Sequence, residues 1–256
     1  MFSMALLSLL LLAGICAAAL VYRRLGQISH QIRDQRSVVR AELATAEVRL
    51  YRQLESLIAL RDTLGAQTPL PALREWAGSP DFLLELAREI KLRQPAKIVE
   101  CSSGASTLVA ARCCQLNGVG HVYSLENASE FAMKTRRLIE AAGLQAWASV
   151  IDAPLKPYDL QGQNYHWYSI DELMVDAIDM LVVDGPLGKL NNQARYPAGP
   201  LLFPRLNERA IVMVDDASRV DEQAIVERWT QEFAGFQRED RMAEKGLAVL
   251  VRSQDR

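Results

Sequence analysis

Five short apolar runs in this 256-residue chain each carry a carboxylate at or next to their last position, and that recurrence limits the fold more than any other feature of the sequence. The runs are Lys97-Ile-Val-Glu-Cys101, Gly120-His-Val-Tyr-Ser-Leu-Glu126, Ala148-Ser-Val-Ile-Asp152, Ile178-Asp-Met-Leu-Val-Val-Asp184 and Ala210-Ile-Val-Met-Val-Asp215. Helical patterns follow at about Ala105 to Leu116, Ser129 to Ala142 and Asp221 to Phe233, with Gly143 stopping the second. Ser79-Pro-Asp81 caps an earlier helix whose apolar positions are Phe82, Leu83, Leu86, Ile90 and Leu92. Strands separated by helices predict a mainly parallel sheet with right-handed crossovers and helices on both faces. Gly246 to Arg252 reads as a last strand in an antiparallel hairpin with Gln237 to Met242. Ligands of such sheets sit beyond the carboxyl ends of the strands, where these acids gather.

The amino-terminal part follows other rules. Met1 to Tyr22 carries no charged side chain and is dominated by Leu, and about 20 helical residues at ~1.5 Å each cross a ~30 Å hydrocarbon core. A cleaved signal peptide is the rival reading, through Ala17-Ala18-Ala19, but no Lys or Arg precedes the apolar run. Arg23, Arg24, Arg33, Arg36 and Arg40 follow the span, with Asp34 opposing, so the positive-inside rule puts the rest of the chain in the cytoplasm. A heptad comes next: Leu25, Ile32, Val39, Ala46 and Leu60 on one row, Leu43, Leu50, Leu57 and Leu64 on the other, interrupted by Ser29, Arg36 and Gln53. So narrow a seam on a charged helix suits a self-associating coiled-coil stalk, with a single helix lying on the body or the membrane as the alternative. Gln67-Thr-Pro-Leu-Pro71 stops it. The expected division is an anchor over 1–22, a stalk over 23–66 and a catalytic domain over 67–256.

With 29 basic and 31 acidic residues and a formal net charge of −2, the chain has no basic footprint for nucleic acid. Cys16, Cys101, Cys113 and Cys114 lack C-x-x-C spacing and the three histidines are scattered, which argues against a zinc site or a disulfide framework.

The loop after the first strand, Glu100-Cys-Ser-Ser-Gly-Ala-Ser-Thr107, consists of small residues and opens a helix. Unpaired first-turn amides and short side chains let a cofactor approach the backbone there, although strand, small loop and helix also recur as plain structure. The order of this loop, then Glu126, Asp152, Val182-Val-Asp-Gly-Pro186 and Val214-Asp-Asp-Ala217, resembles class I S-adenosylmethionine-dependent methyltransferases over roughly residues 70 to 256. The resemblance implies a doubly wound α/β fold with a seven-stranded Rossmann-like sheet. It also implies that Glu100, Ser102, Ser103, Gly104, Ser106 and Thr107 wrap the methionine part of S-adenosylmethionine. Glu126, with Asn127 beside it, would meet the ribose, and Asp152 and Ala153 the adenine. An acid closing the second strand is suited to accept from a diol. Ser102 departs from the family's usual glycine.

The same resemblance extends to metal-dependent O-methyltransferases, in which an acid after the fourth strand and a pair after the fifth hold a divalent ion. Asp184, Asp215 and Asp216 stand there, with Asp216 in place of an amide. Three converging carboxylates repel one another unless protonated or bridged by a hard cation such as Mg²⁺. The bland reading has Asp184 starting a turn with Gly185-Pro186 and Asp216 capping the next helix. Lys189 and His166 are alternative proton acceptors beside Asp184, His166 reading also as a substrate contact or, more simply, as a histidine packed among aromatics; Arg195 and Arg219 read as solvated rim in preference to binding an anionic substrate. The expectation is a membrane-anchored methyltransferase acting on a hydroxyl oxygen of a small-molecule, glycan or lipid-linked acceptor. An inactive methyltransferase-like scaffold is the alternative, and a nicotinamide enzyme fits less well because the Gly-x-Gly-x-x-Gly spacing is missing.

Overall fold

The computed structural model describes residues 2–65, 70–73 and 77–252, and the chain divides into two compact units, Met1–Tyr51 and Arg52–Arg256. Helix α1, Phe2–Leu64, runs through the expected anchor and stalk without a break and is long and apolar enough to cross a membrane. In the first unit its described side chains are exposed, among them Leu9, Leu20, Ile32 and Leu43.

The last turns of α1 behave differently. Leu60 and Leu64 are fully buried in the core of the second unit, and Arg112 Nε donates to the Leu64 carbonyl (3.0 Å). The end of the heptad seam is therefore packed on the body, where a free stalk was expected. Gly65, at φ +86°, follows the helix. Of the proline-rich break expected over Gln67-Thr-Pro-Leu-Pro71, residues 67–69 lie outside the described residues, and Leu70 and Pro71 are not helical.

Helix α2, Pro80–Arg93, buries Phe82, Leu83, Leu86 and Ile90 of the stripe its spacing predicts, while Leu92, expected with them, is exposed. Then come β1 (Lys97–Cys101), α3 (Ala105–Asn117), β2 (His121–Glu126), α4 (Ser129–Ala141), β3 (Ala148–Asp152), β4 (Leu155–Leu160) and β5 (Gln163–Tyr168). The order continues with β6 (Ile178–Val183), α5 (Ala198–Leu202), β7 (Leu206–Asp215), α6 (Val220–Glu232), β8 (Phe236–Arg241) and β9 (Leu247–Arg252). The seven-stranded sheet has the order β3-β2-β1-β6-β7-β9-β8. It is parallel from β3 to β7 and ends in the expected antiparallel hairpin. Because strand side chains alternate, Ile98, Met180, Val182, Ile211 and Met213 face α2 and α3 in one core. Val99, Leu181, Val183, Val212 and Val214 face α6 in the other.

The chain turns outward from β1 to β2 and β3, then returns to place β6 on the other side of β1. That reversal opens a crevice at the carboxyl ends of β1 and β6, the usual ligand position in a doubly wound sheet. The β4–β5 hairpin was not anticipated, since Pro157 disguises β4. Its turn signal was nevertheless present: Gln161 and Gly162 both have positive φ, +53° and +76°, as a two-residue hairpin turn requires. Tyr165, Trp167 and Tyr168 pack this hairpin onto the body.

Candidate active site

The loop leaving β1 is held from beneath by its own acid. Glu100 is 1% exposed, and its Oε2 accepts from Thr107 Oγ1 and Ser124 Oγ, both at 2.6 Å. Thr107 Oγ1 in turn accepts from the Gly104 amide (3.0 Å), which fixes the start of α3. Burial raises the Glu100 pKa against the pull of the Ser106, Ser124 and Thr107 hydroxyls. Its other oxygen, Oε1, is buried without a hydrogen-bond partner among the described residues. Gly104 has φ +152°, and a Cβ there would meet open space. Ser102 keeps the loop path a glycine would take, at φ +112°.

Glu126 closes β2 at the same end. It is 7% exposed and takes bonds from Ser103 Oγ (2.9 Å) and the Ala128 amide (3.0 Å). Ser103 Oγ also lies 3.1 Å from Thr135 Oγ1, so the carboxylate is aimed from two sides. Ala153 is buried and its amide donates to the Glu126 carbonyl (2.7 Å). Asn127 is exposed, and Asp152 is largely exposed and paired with Arg136 at 2.9 Å.

Across the crevice, Asp184, Asp215 and Asp216 each place a carboxylate oxygen within 4.8 Å of the other two. The Asp184 amide donates to the Cys101 carbonyl (3.2 Å), locking the two loops together. Arg195 is the residue that sequence reasoning placed wrongly. Expected on the solvated rim, it is 3% exposed. Its guanidinium donates to the Asp215 carbonyl (2.8 Å), Asp216 Oδ2 (2.8 Å) and Asp184 Oδ1 (3.4 Å), and it lies 3.6 Å from Glu222. Burial opposes the charge on Arg195, but Asp184, Asp216 and Glu222 outweigh it and hold the pKa above its ordinary value. Buried Glu222 was missed as well, because one acid in the first turn of an amphipathic helix reads as a surface residue. Arg219 reaches Asp216 Oδ2 from outside at 2.9 Å.

One guanidinium does not satisfy every acid. Both oxygens of Asp215 and Oδ1 of Asp216 are buried without hydrogen-bond partners among the described residues. Burial, with Asp184 and Asp216 adding to it, pushes Asp215 up to about 8. Burial likewise pushes Asp184 up to about 7 in spite of Arg195. Bare carboxylate oxygens on Asp215 and Asp216, converging with Asp184, fit a hard divalent cation, with Arg195 as a fixed neighbouring charge. The capping alternative for Asp216 does not hold: the N-cap of α6 is Arg219, and Asp216 occupies a left-handed turn at φ +61°.

His166 and Lys189 are exposed; the His166 carbonyl accepts from Asn191 Nδ2 (3.1 Å). Tyr168, on the same strand as His166, is the side chain that enters the site. It is 2% exposed, and a Cβ on Gly185 would collide with its hydroxyl. Burial raises its pKa well above the ordinary phenol value, and nearby Glu126 and Asp184 add to the shift.

Residues 99–217 match the family described as a methyltransferase domain. A protein-L-isoaspartate O-methyltransferase of Ignicoccus hospitalis is 26% identical over 129 residues, which span 48% of this chain and 61% of that relative. Among solved structures, an SAH-bound methyltransferase of Podospora anserina aligns with a TM-score of 0.59 at 12% identity, covering 83% of this chain and 97% of its own. An O-methyltransferase of Streptomyces achromogenes involved in tomaymycin synthesis, in complex with SAM, gives 0.51 at 16% identity over 81% and 96%. A Klebsiella pneumoniae protein described as a putative O-methyltransferase gives 0.53 at 16% over 81% and 97%. The architecture is that of the Rossmann-like methyltransferases.

Proposed function

We propose that this chain, which carries a methyltransferase-domain sequence on a Rossmann-like methyltransferase fold, is an S-adenosylmethionine-dependent methyltransferase acting on a hydroxyl oxygen. The observation that carries the reading is the pairing, across one crevice, of the hydroxyl-aimed Glu126 with the acid cluster at the ends of β6 and β7. S-adenosylmethionine supplies an electrophilic methyl group on a sulfonium. Glu126, oriented by Ser103 and the Ala128 amide, accepts from the ribose diol, and the open face of Gly104 admits the cofactor to the backbone. Without a bound cation Asp184 is the proton acceptor for the attacking hydroxyl, since a carboxylate raised toward neutral pH matches that task. The Tyr168 hydroxyl packs against Gly185, between the loop after β1 and the segment that follows Asp184. Asp184, Asp215 and Asp216 are the residues that would hold Mg²⁺, which when bound lowers the pKa of a coordinated hydroxyl.

Helix α1 supports an anchor at the membrane, and its Arg-rich flank supports a cytosolic body facing a membrane-associated acceptor. Protease protection in intact cells tests this: digestion of the body from outside overturns the orientation.

The inactive-scaffold reading rests on Ser102, whose φ of +112° a glycine would hold without strain. Calorimetric titration of the full chain in detergent with S-adenosylhomocysteine, S-adenosylmethionine and NAD separates the readings. The full chain is needed because Leu60 and Leu64 belong to the core. Binding of the first two and not of NAD supports the methyltransferase reading, and failure to bind either overturns the cofactor assignment. Ser102→Gly is expected to leave that affinity unchanged or to strengthen it.

A further inference from the structure

Asp216 sits in a left-handed conformation, at φ +61°, which is costly for most non-glycine residues and which its surroundings here support. The surroundings here are the turn between β8 and β9. The Ser218 amide donates to the Lys245 carbonyl (2.9 Å) and the Ala217 amide to the Gly246 carbonyl (3.1 Å). Lys245 Nζ lies 3.9 Å from Asp216 Oδ1. Gly246, at φ +79°, comes so close to Ser218 that a Cβ there would collide with it. The β8–β9 turn thus lays two carbonyls and a cation along the segment that carries Asp216.

The turn is in turn gripped from the far side. The Glu244 amide donates to Asp81 Oδ2 (2.7 Å). Asp81 is 6% exposed, and its other oxygen accepts from Ser79 Oγ (2.6 Å) and the Phe82 amide (2.9 Å). The remaining partner of Asp81 comes from α1: Gln53 Nε2 donates to Asp81 Oδ2 (2.7 Å), and the Asp81 amide donates to Gln53 Oε1 (3.3 Å). An interruption of the apolar seam is thereby explained, since Gln53 uses both ends of its amide on a residue that holds the turn.

We propose that Gln53 is a positioning residue for the acid cluster: through Asp81 and the β8–β9 turn, the last turns of α1 hold Asp216 in its left-handed conformation. The catalytic unit is then incomplete without the end of the helix that precedes it. The inference rests on the reading of the acid cluster as the acceptor side of the site, but its test does not depend on methyl transfer.

The experiment compares full-length wild type with Gln53→Met in detergent, a change that keeps the length of the side chain and removes its hydrogen bonds. Amide hydrogen exchange is read residue by residue, together with the Asp216 Cα resonance, which reports its backbone conformation, and calorimetric affinity for S-adenosylhomocysteine. The expected result is at least tenfold faster exchange at Ala217, Ser218 and Glu244 and a shifted Asp216 resonance. Exchange at Val212, Met213 and Val249 in β7 and β9 should be unchanged, and the affinity should change by less than twofold. Unaltered exchange at Ala217 and Ser218 overturns the proposal, because the turn then holds Asp216 unaided. Faster exchange spread evenly over β7 and β9 also overturns it, because Gln53 then serves stability alone. Absence of S-adenosylhomocysteine binding in wild type counts against the methyltransferase reading and leaves the exchange comparison valid.

Discussion

A carboxylate at the end of a strand can be read for chemistry only when its neighbours are known, and the two sides of this crevice show why. Glu126 has short, neutral donors and accepts in a fixed direction. Glu126→Ala is therefore expected to weaken S-adenosylhomocysteine binding at least tenfold by calorimetry, since charge-assisted bonds contribute about 1.5–3 kcal/mol. Equal affinity in the variant would remove Glu126 from the site. Arg195 is the converse case, a lone buried cation between Asp184, Asp216 and Glu222. Arg195→Met leaves buried Asp216 and Glu222 with only the partly exposed Arg219 and Lys245 as counter-charges and is predicted to cost about 3 kcal/mol in urea unfolding at neutral pH. A loss below about 1 kcal/mol would mean that the cluster is neutralised by other means. Strand ends are visible in a sequence as apolar runs closing on an acid, so Glu126, Asp184 and Asp215 were legible. Arg195 was not, because it lies in a loop without periodicity and is buried only where β6, β7 and α6 converge on it.

At the scale of the elements, α1 is one helix with two environments. Leu43 is exposed and Leu60 is fully buried, although both are seam positions of one heptad pattern. Leu60→Ala is expected to destabilise the body by about 2–5 kcal/mol, read as a lower urea midpoint, and Leu43→Ala to leave that midpoint almost unchanged. Equal effects would deny the docking of the last turns on the core. Periodicity identified the helix and its seam but not the partner of the seam, because an apolar stripe is equally well covered by a second copy or by the chain's own body. The β4–β5 hairpin shows the reverse gap: its turn was readable at Gln161-Gly162, while Pro157 hid the strand on one side.

At the scale of the whole molecule, the acid cluster ties stability to pH. Asp184 and Asp215, pushed up to about 7 and about 8, hold protons in the folded state that an unfolded chain releases near ~3.9. The folded state binds more protons across that interval, so the contribution of these two groups is fully present below about pH 4 and is lost as pH rises toward about 8. Asp215→Asn fixes one of them in a neutral form and should flatten the fall in urea midpoint between pH 5 and pH 8; a profile parallel to wild type would contradict the assignment. Adding Mg²⁺ at pH 8 should raise the wild-type midpoint and leave that of Asp215→Asn less affected, if the three acids take the cation together. The sequence by itself determined the alternation of strands and helices, the place of each acid at a strand end, and the apolar helix at the amino terminus. These depend on local period and on residue type along the chain. Only the tertiary structure decided that Arg195 is buried among the acids, that Tyr168 rather than His166 enters the crevice, and that Gln53 reaches the turn beside Asp216. Each of those depends on which segments, far apart in the chain, the strand order of the sheet brings within a hydrogen bond of one another.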